Sequence, residues 1–79
     1  MKWKETDNML VKDFEFNNFK SAMVFVNKVA KIAEKINHHP NILVHSYKHV
    51  RITSTTHSEG KTTEKDIKLA KLIDNIKLL

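Results

Sequence analysis

At Phe19 the apolar residues change period, and that change commits the chain to a fold of mixed class. In "MLVKDFEF", Met9 to Phe16, the residues Leu10, Phe14 and Phe16 alternate on one parity, with Lys12 as the exception. That is the pattern of a half-buried strand. A shorter strand around Trp3 to Glu5, turned by Asp7-Asn8, completes a predicted hairpin. From Phe19 onward, Phe19, Ala22, Met23, Val26, Val29, Ala30, Ala33 and Ile36 form one helical stripe opposite Lys20, Asn27, Lys31 and Glu34. Asn18 is the predicted N-cap. Pro40, the only proline, disfavours helical geometry at His39, so the helix is predicted to end at about Asn37. His38 and His39 then lie at its C-terminal edge.

The next stretch, "ILVHSYKHVRITSTT", is β-branched and aromatic and predicts two strands joined near Ser46 to Lys48. Val50 and Ile52 share a parity that Ser54 continues with a polar residue, so that end of the strand is expected to be weakly buried. "SEGK" holds the only glycine, and Thr63-Glu64-Lys65-Asp66 has capping-box spacing with Asp in place of the usual Glu. A second helix follows, with Ile67, Ala70, Leu72, Ile73 and Ile76 expected to face inward. The order strand, strand, helix, strand, strand, helix predicts an α+β fold: an antiparallel four-stranded sheet with two helices packed on one face. Residues 1–79 are expected to form one domain, since a second would leave neither half enough apolar surface to bury.

A chain of this length without cysteine has no disulfide or thiolate metal site, so packing and self-association are the expected sources of extra stability. The longest apolar runs are five residues, and "MKWKETDN" has no hydrophobic h-region. A soluble protein of a reducing compartment, the cytoplasm, is expected, with no membrane partner. The net charge is +5, yet the lysines are dispersed among Glu34, Glu64, Asp66 and Asp74 with no basic run and little aromatic interleaving. They read as solvated helix faces, and no nucleic-acid partner is expected.

All five histidines (38, 39, 45, 49 and 57) fall within one twenty-residue window. His38, His39 and His57 sit at predicted element ends, where a rigid scaffold presents side chains to a ligand. An imidazole donates or accepts a proton near neutral pH, and two flanking a substrate do both, as the elimination of water requires. His45 and His49 read as ordinary strand residues. Adjacent histidines converge poorly on one ion, and no acidic residue has an obvious ligand spacing, so no metal is expected. For Asp66, capping of the second helix is as good an account as any functional role.

At these residues the sequence resembles the pterin-4a-carbinolamine dehydratase family, from Trp3 to Ala70. The resemblance is carried by Trp3, "FEFNNFKSA", "VAKIAEKINHHP", Tyr47, Val50 and "TTHSEGKTTEKD". The family pattern of spaced residues is met by Glu34, His38, His39, Pro40, Tyr47, His57 and Asp66. The resemblance implies dehydration of a 4a-hydroxytetrahydropterin to the quinonoid dihydropterin in recycling of tetrahydrobiopterin, without metal or cofactor, by a homodimer or homotetramer. By that resemblance His38 and His57 are the acid/base pair, and His39 binds and orients the pterin with a secondary catalytic part. Glu34, Pro40, Tyr47 and Asp66 are the implied substrate-binding residues. Some members of the family also act as dimerisation partners of a transcription factor, so a non-catalytic binding or dimerisation module on the same fold is the competing expectation.

The chain departs from the family pattern in several places. The helix that usually precedes the tryptophan is expected to be missing, because Trp3 stands almost first. Ser58 replaces an Asp, Lys61 a glycine, Thr62 an apolar residue, and Ser54 an apolar strand residue. The last four surround His57.

Overall fold

The computed structural model describes residues 2–77. Its first turn is made by Asp7 and Asn8, with φ of 51° and 64°, and it joins strands β1 (Lys4–Thr6) and β2 (Met9–Glu15). Asp and Asn tolerate this left-handed geometry, which matches the twist of an antiparallel hairpin. Helix α1 spans Phe19–Ile36, and its N-cap Asn18 accepts a hydrogen bond from the Ser21 N–H at 2.8 Å. The helix stops at Asn37, which turns left-handed at φ 53° and returns its N–H to the carbonyls of Ala33 and Glu34. Strands β3 (Asn41–His45) and β4 (His49–Ser54) follow, joined through Ser46 and Tyr47, both at positive φ. Helix α2 spans Glu64–Asp74.

The sheet order is β1-β2-β4-β3, antiparallel throughout. Leu10, Val50 and Ile52 are buried on one parity, and their neighbours Asp13, Glu15, Arg51 and Leu43 are exposed on the other. Both helices cover the first face: α1 packs on β4 and on α2, and α2 packs on β2. The architecture is therefore the predicted α+β fold.

The helical faces are rotated from the predicted ones. In α1 the buried residues are Ala22, Phe25, Val29 and Ala33, whereas Phe19 and Ala30 are exposed. Phe25 is drawn inward by the β2 aromatics, its ring lying 4.6 Å from Phe14 and 4.9 Å from Phe16. Aromatic contacts of this kind add about 0.5–1.5 kcal/mol to the area they bury. In α2 the buried stripe is Asp66, Leu69, Ala70 and Ile73, and Ile67 is exposed. Adjacent helical residues diverge by about 100°, so turning Asp66 inward turns Ile67 out.

Lys12, the polar exception on the inward parity of β2, has a specific partner. Its Nζ donates to Asp74 Oδ1 at 2.7 Å and lies 4.9 Å from the Phe14 ring centroid. The indole N–H of the buried Trp3 also donates to Asp74, 3.0 Å from each carboxylate oxygen. One carboxylate thus ties the C-terminal end of α2 to β2 and to the residue preceding β1. Asp74→Ala is expected to cost about 1–3 kcal/mol, read as a lower urea midpoint at unchanged slope. Asp13→Ala, which breaks the exposed Asp13–Arg51 pair on the open face, is expected to cost clearly less.

Candidate functional site

Three element ends meet around the Asp66 side chain, which is fully buried. Its backbone position follows from the capping box at the start of α2, where Thr63 accepts from the Lys65 N–H and donates its own N–H to Asp66 Oδ2 at 2.9 Å. The last residue of β4 and the second residue beyond it supply two hydroxyl donors. Ser54 Oγ donates to Oδ1 at 2.5 Å, and Thr56 Oγ1 donates to Oδ2 at 2.7 Å. From the residue after the α1 cap comes the imidazole of His38, whose Nε2 lies 2.6 Å from Asp66 Oδ1. Ser54 and Thr56 are 2% and 5% exposed. The expected weak burial at this end of β4 is therefore corrected: Ser54 is in the interior because it has a charged acceptor there.

Burial by itself raises the Asp66 carboxyl. Hydrogen bonds from Ser54, His38, the Thr63 N–H and Thr56 outweigh it and lower the group to about 2. At neutral pH Asp66 is a pure acceptor, so His38 must carry its proton on Nε2. The other ring nitrogen, Nδ1, has no protein partner among the described residues. This is the arrangement in which a carboxylate fixes an imidazole tautomer and stabilises the cation that forms when the free nitrogen takes up a proton. Asp66 is thus both the cap of α2 and the orienting group of His38.

Glu34 orients the other histidine of the pair. His39 Nε2 lies 2.5 Å from Glu34 Oε2, with both side chains largely exposed. Pro40 is partly buried between this pair and β3. His57 is exposed on a tight loop closed by the Thr56 N–H to Lys61 carbonyl bond of 3.1 Å, where Gly60 takes φ +66°. It lines a cavity with Asn8, Asn41 and Thr55, whereas His38 lines a second cavity with Asn37, Lys65 and Lys68. The two histidines open to different cavities, and they are linked through Thr56, the neighbour of His57, on the shared carboxylate. Tyr47 is not brought to this end by its own chain. It sits 61% exposed in the β3–β4 turn, beyond the His45–His49 pair, at the opposite end of these strands from Asn41 and Thr53. Sequence reasoning missed Ser54 and Thr56 as site-supporting residues. Their signal was two hydroxyls, at alternate positions leading out of a strand, close before a capping Asp.

The molecule is thus a two-layer α+β protein that presents an imidazole on a buried carboxylate. The family is given by comparison: the model of the pterin 4 alpha carbinolamine dehydratase family matches residues 1–76, and the chain belongs to that family. It is 45% identical over 74 residues to a "Putative pterin-4-alpha-carbinolamine dehydratase" of Sulfolobus acidocaldarius, covering 94% of this chain and 80% of that one. A protein of the same description from Thermomicrobium roseum is 45% identical over 69 residues, covering 87% of this chain and 73% of that one. Among solved structures, a transcriptional coactivator/pterin dehydratase from Brucella melitensis superposes with a TM-score of 0.84 at 36% identity, covering 91% of this chain and 78% of that one. A pterin dehydratase-like RuBisCO assembly factor of the alpha-carboxysome has a TM-score of 0.73 at 24% identity, covering 92% and 83% of the two chains, and shares the fold.

The buried network makes a prediction about stability. Asp66→Asn replaces an acceptor with an amide whose N–H₂ faces donors, and is expected to cost about 2–4 kcal/mol. Because the folded Asp66 lies below its ordinary value, its contribution is full above the unfolded value near about 3.9. It is lost as pH falls through about 2. Unfolding free energies from urea titrations across this range should fall more steeply toward acid for the wild type than for Asp66→Asn, by about 2 kcal/mol in total.

Proposed function

We propose that this chain dehydrates 4a-hydroxytetrahydropterins to quinonoid dihydropterins, a step in recycling the tetrahydrobiopterin used by aromatic amino acid hydroxylases. In this reaction the C4a–O bond breaks, the hydroxyl leaves as water after gaining a proton, N5 loses its proton, and a C4a=N5 double bond forms. The observation that carries the reading is the His38–Asp66 pair in a member of this family.

His38 is assigned the role of base. Its Nδ1 takes the N5 proton while Asp66 stabilises the imidazolium from the Nε2 side. His57, on a loop that Thr56 ties to the same carboxylate, is assigned the proton donor to the departing hydroxyl, so the pterin is proposed to span the cavities that the two imidazoles line. His39, held by Glu34, binds and orients the pterin with a secondary part in catalysis, and Pro40 fixes the direction in which both adjacent imidazoles leave α1. Tyr47 adds to substrate binding where a second chain brings its β3–β4 turn to this end, in a homodimer or homotetramer. The reaction proceeds by proton transfer without metal or cofactor, in the cytoplasm.

A second reading is a binding or dimerisation module on the same scaffold. It is favoured by the Brucella melitensis relative, described as both coactivator and pterin dehydratase. The two readings separate on one measurement, the dehydration of freshly generated 4a-hydroxytetrahydropterin against its spontaneous rate. Catalysis requires a rate well above background with a bell-shaped pH dependence, because a neutral and a protonated imidazole are needed at once. A rate equal to background at every pH would leave the binding module. Within the catalytic reading, His38→Gln, whose amide keeps a donor for Asp66, and His57→Ala are each expected to slow turnover by about 10²–10⁴-fold with the fold intact by circular dichroism. His39→Ala is expected mainly to raise KM. Wild-type turnover in all three variants would overturn the assignment.

A further inference from the structure

The cavity beside His38 has a volume of about 260 Å³ and is lined by Ile36, Asn37, His38, Lys65 and Lys68. Its walls carry two ammonium groups and no carboxylate. Lys65 and Lys68 stand three residues apart on α2, so they share a face of the helix. Neither belongs to an ion pair among the described residues. Glu64, the nearest acidic residue in sequence that is not buried, lines the two neighbouring cavities and not this one. The remaining negative charge nearby, Asp66, is buried and already saturated by its donors.

A tetrahydropterin ring has no anionic group to meet two lysines. Its C6 substituent, however, is attached to the atom bonded to N5. A pterin with N5 at His38 therefore carries its side chain on the neighbouring ring atom, beside the cavity wall that Lys65 and Lys68 form with His38. We propose, on the reading that this is a pterin site, that Lys65 and Lys68 select tetrahydropterins whose C6 side chain ends in an anionic group such as a phosphate ester. Lysine suits this task as a mobile point charge on a flexible stem, and it accepts a phosphate at a range of side-chain lengths. Both ammonium groups are on the surface, so each contributes modestly and the contribution is screened by salt.

The test is direct binding, followed by the intrinsic pterin fluorescence, of tetrahydroneopterin's stable oxidised form neopterin and of neopterin monophosphate. The monophosphate is expected to bind about tenfold more tightly at low ionic strength, with the advantage shrinking as salt is raised. In Lys65→Gln/Lys68→Gln the ratio of the two Kd values should fall toward one, and in Lys65→Arg/Lys68→Arg it should persist. Equal affinities in the wild type, or a ratio unmoved in the glutamine variant, would overturn the proposal while leaving the dehydratase reading intact. Failure of that reading looks different: neither pterin binds, and dehydration does not exceed the spontaneous rate, which removes both.

Discussion

The structure depends on one ion that has no exposure to water. Transferring a carboxylate into a protein interior costs several kcal/mol unless its lone pairs are met, and Asp66 meets that demand with two donors on each oxygen: Ser54 and His38 on Oδ1, Thr56 and the Thr63 N–H on Oδ2. These donors come from three segments distant in sequence: the end of α1, the end of β4 and the start of α2. The requirement for saturation therefore fixes how those segments meet. It also explains why β4 ends in hydroxyls rather than methyls on its buried side, since an apolar Ser54 position would leave Oδ1 with the imidazole alone.

Much of the backbone was legible because its determinants are local. Asn18, Asn37, the Asp7-Asn8 turn and the Thr63 to Asp66 capping box each act within a few residues, and each stands where the sequence places it. The period change at Phe19 likewise needs no tertiary information. What was not legible is the direction in which a polar side chain resolves its charge. Ser54 continued an apolar parity and was expected to be weakly buried, although it faces the interior because Asp66, twelve residues later, is there. Lys12 broke a strand pattern for the same reason, with Asp74 as its distant partner. Side-chain rotation about α1 and α2 was also set from outside, by Phe14 and Phe16 on Phe25 and by the inward turn of Asp66. Nor does spacing say which acid meets which imidazole: Asp66, far along the chain, holds His38, and Glu34, one turn before His38, holds His39.

Helix α2 is held at both ends by carboxylates on its own chain. Asp66 fastens its first turn to β4 and to His38, and Asp74 fastens its last residue to Trp3 and Lys12. Between them Leu69, Ala70 and Ile73 are buried at 1% exposure or less. Burying a large aliphatic side chain contributes about 1.5–3 kcal/mol, so the middle of the helix supplies adhesion while the two acids set its position and rotation. A helix so held does not slide or turn without breaking a charged contact. For an imidazole whose orientation derives from the first of those acids, this rigidity keeps Nδ1 aimed in a constant direction.

The charge at this end of the molecule is layered. The negative charge of Asp66 lies inside and is met by hydrogen bonds on both oxygens, whereas Lys65 and Lys68 lie outside along the same helix without ion-pair partners among the described residues. A dispersed net charge of +5 reads, lysine by lysine, as solvated helix surface, and for most positions that account is sufficient. It fails to distinguish these two because it has no means of knowing that the residue between them, Asp66, points inward. Once Asp66 turns in to serve His38, helical geometry places Lys65 and Lys68 at the rim of the cavity that the imidazole lines. The residue that orients the His38 imidazole therefore also determines which cations line the cavity beside it, so the direction of the imidazole and the charge around it follow from one side-chain direction.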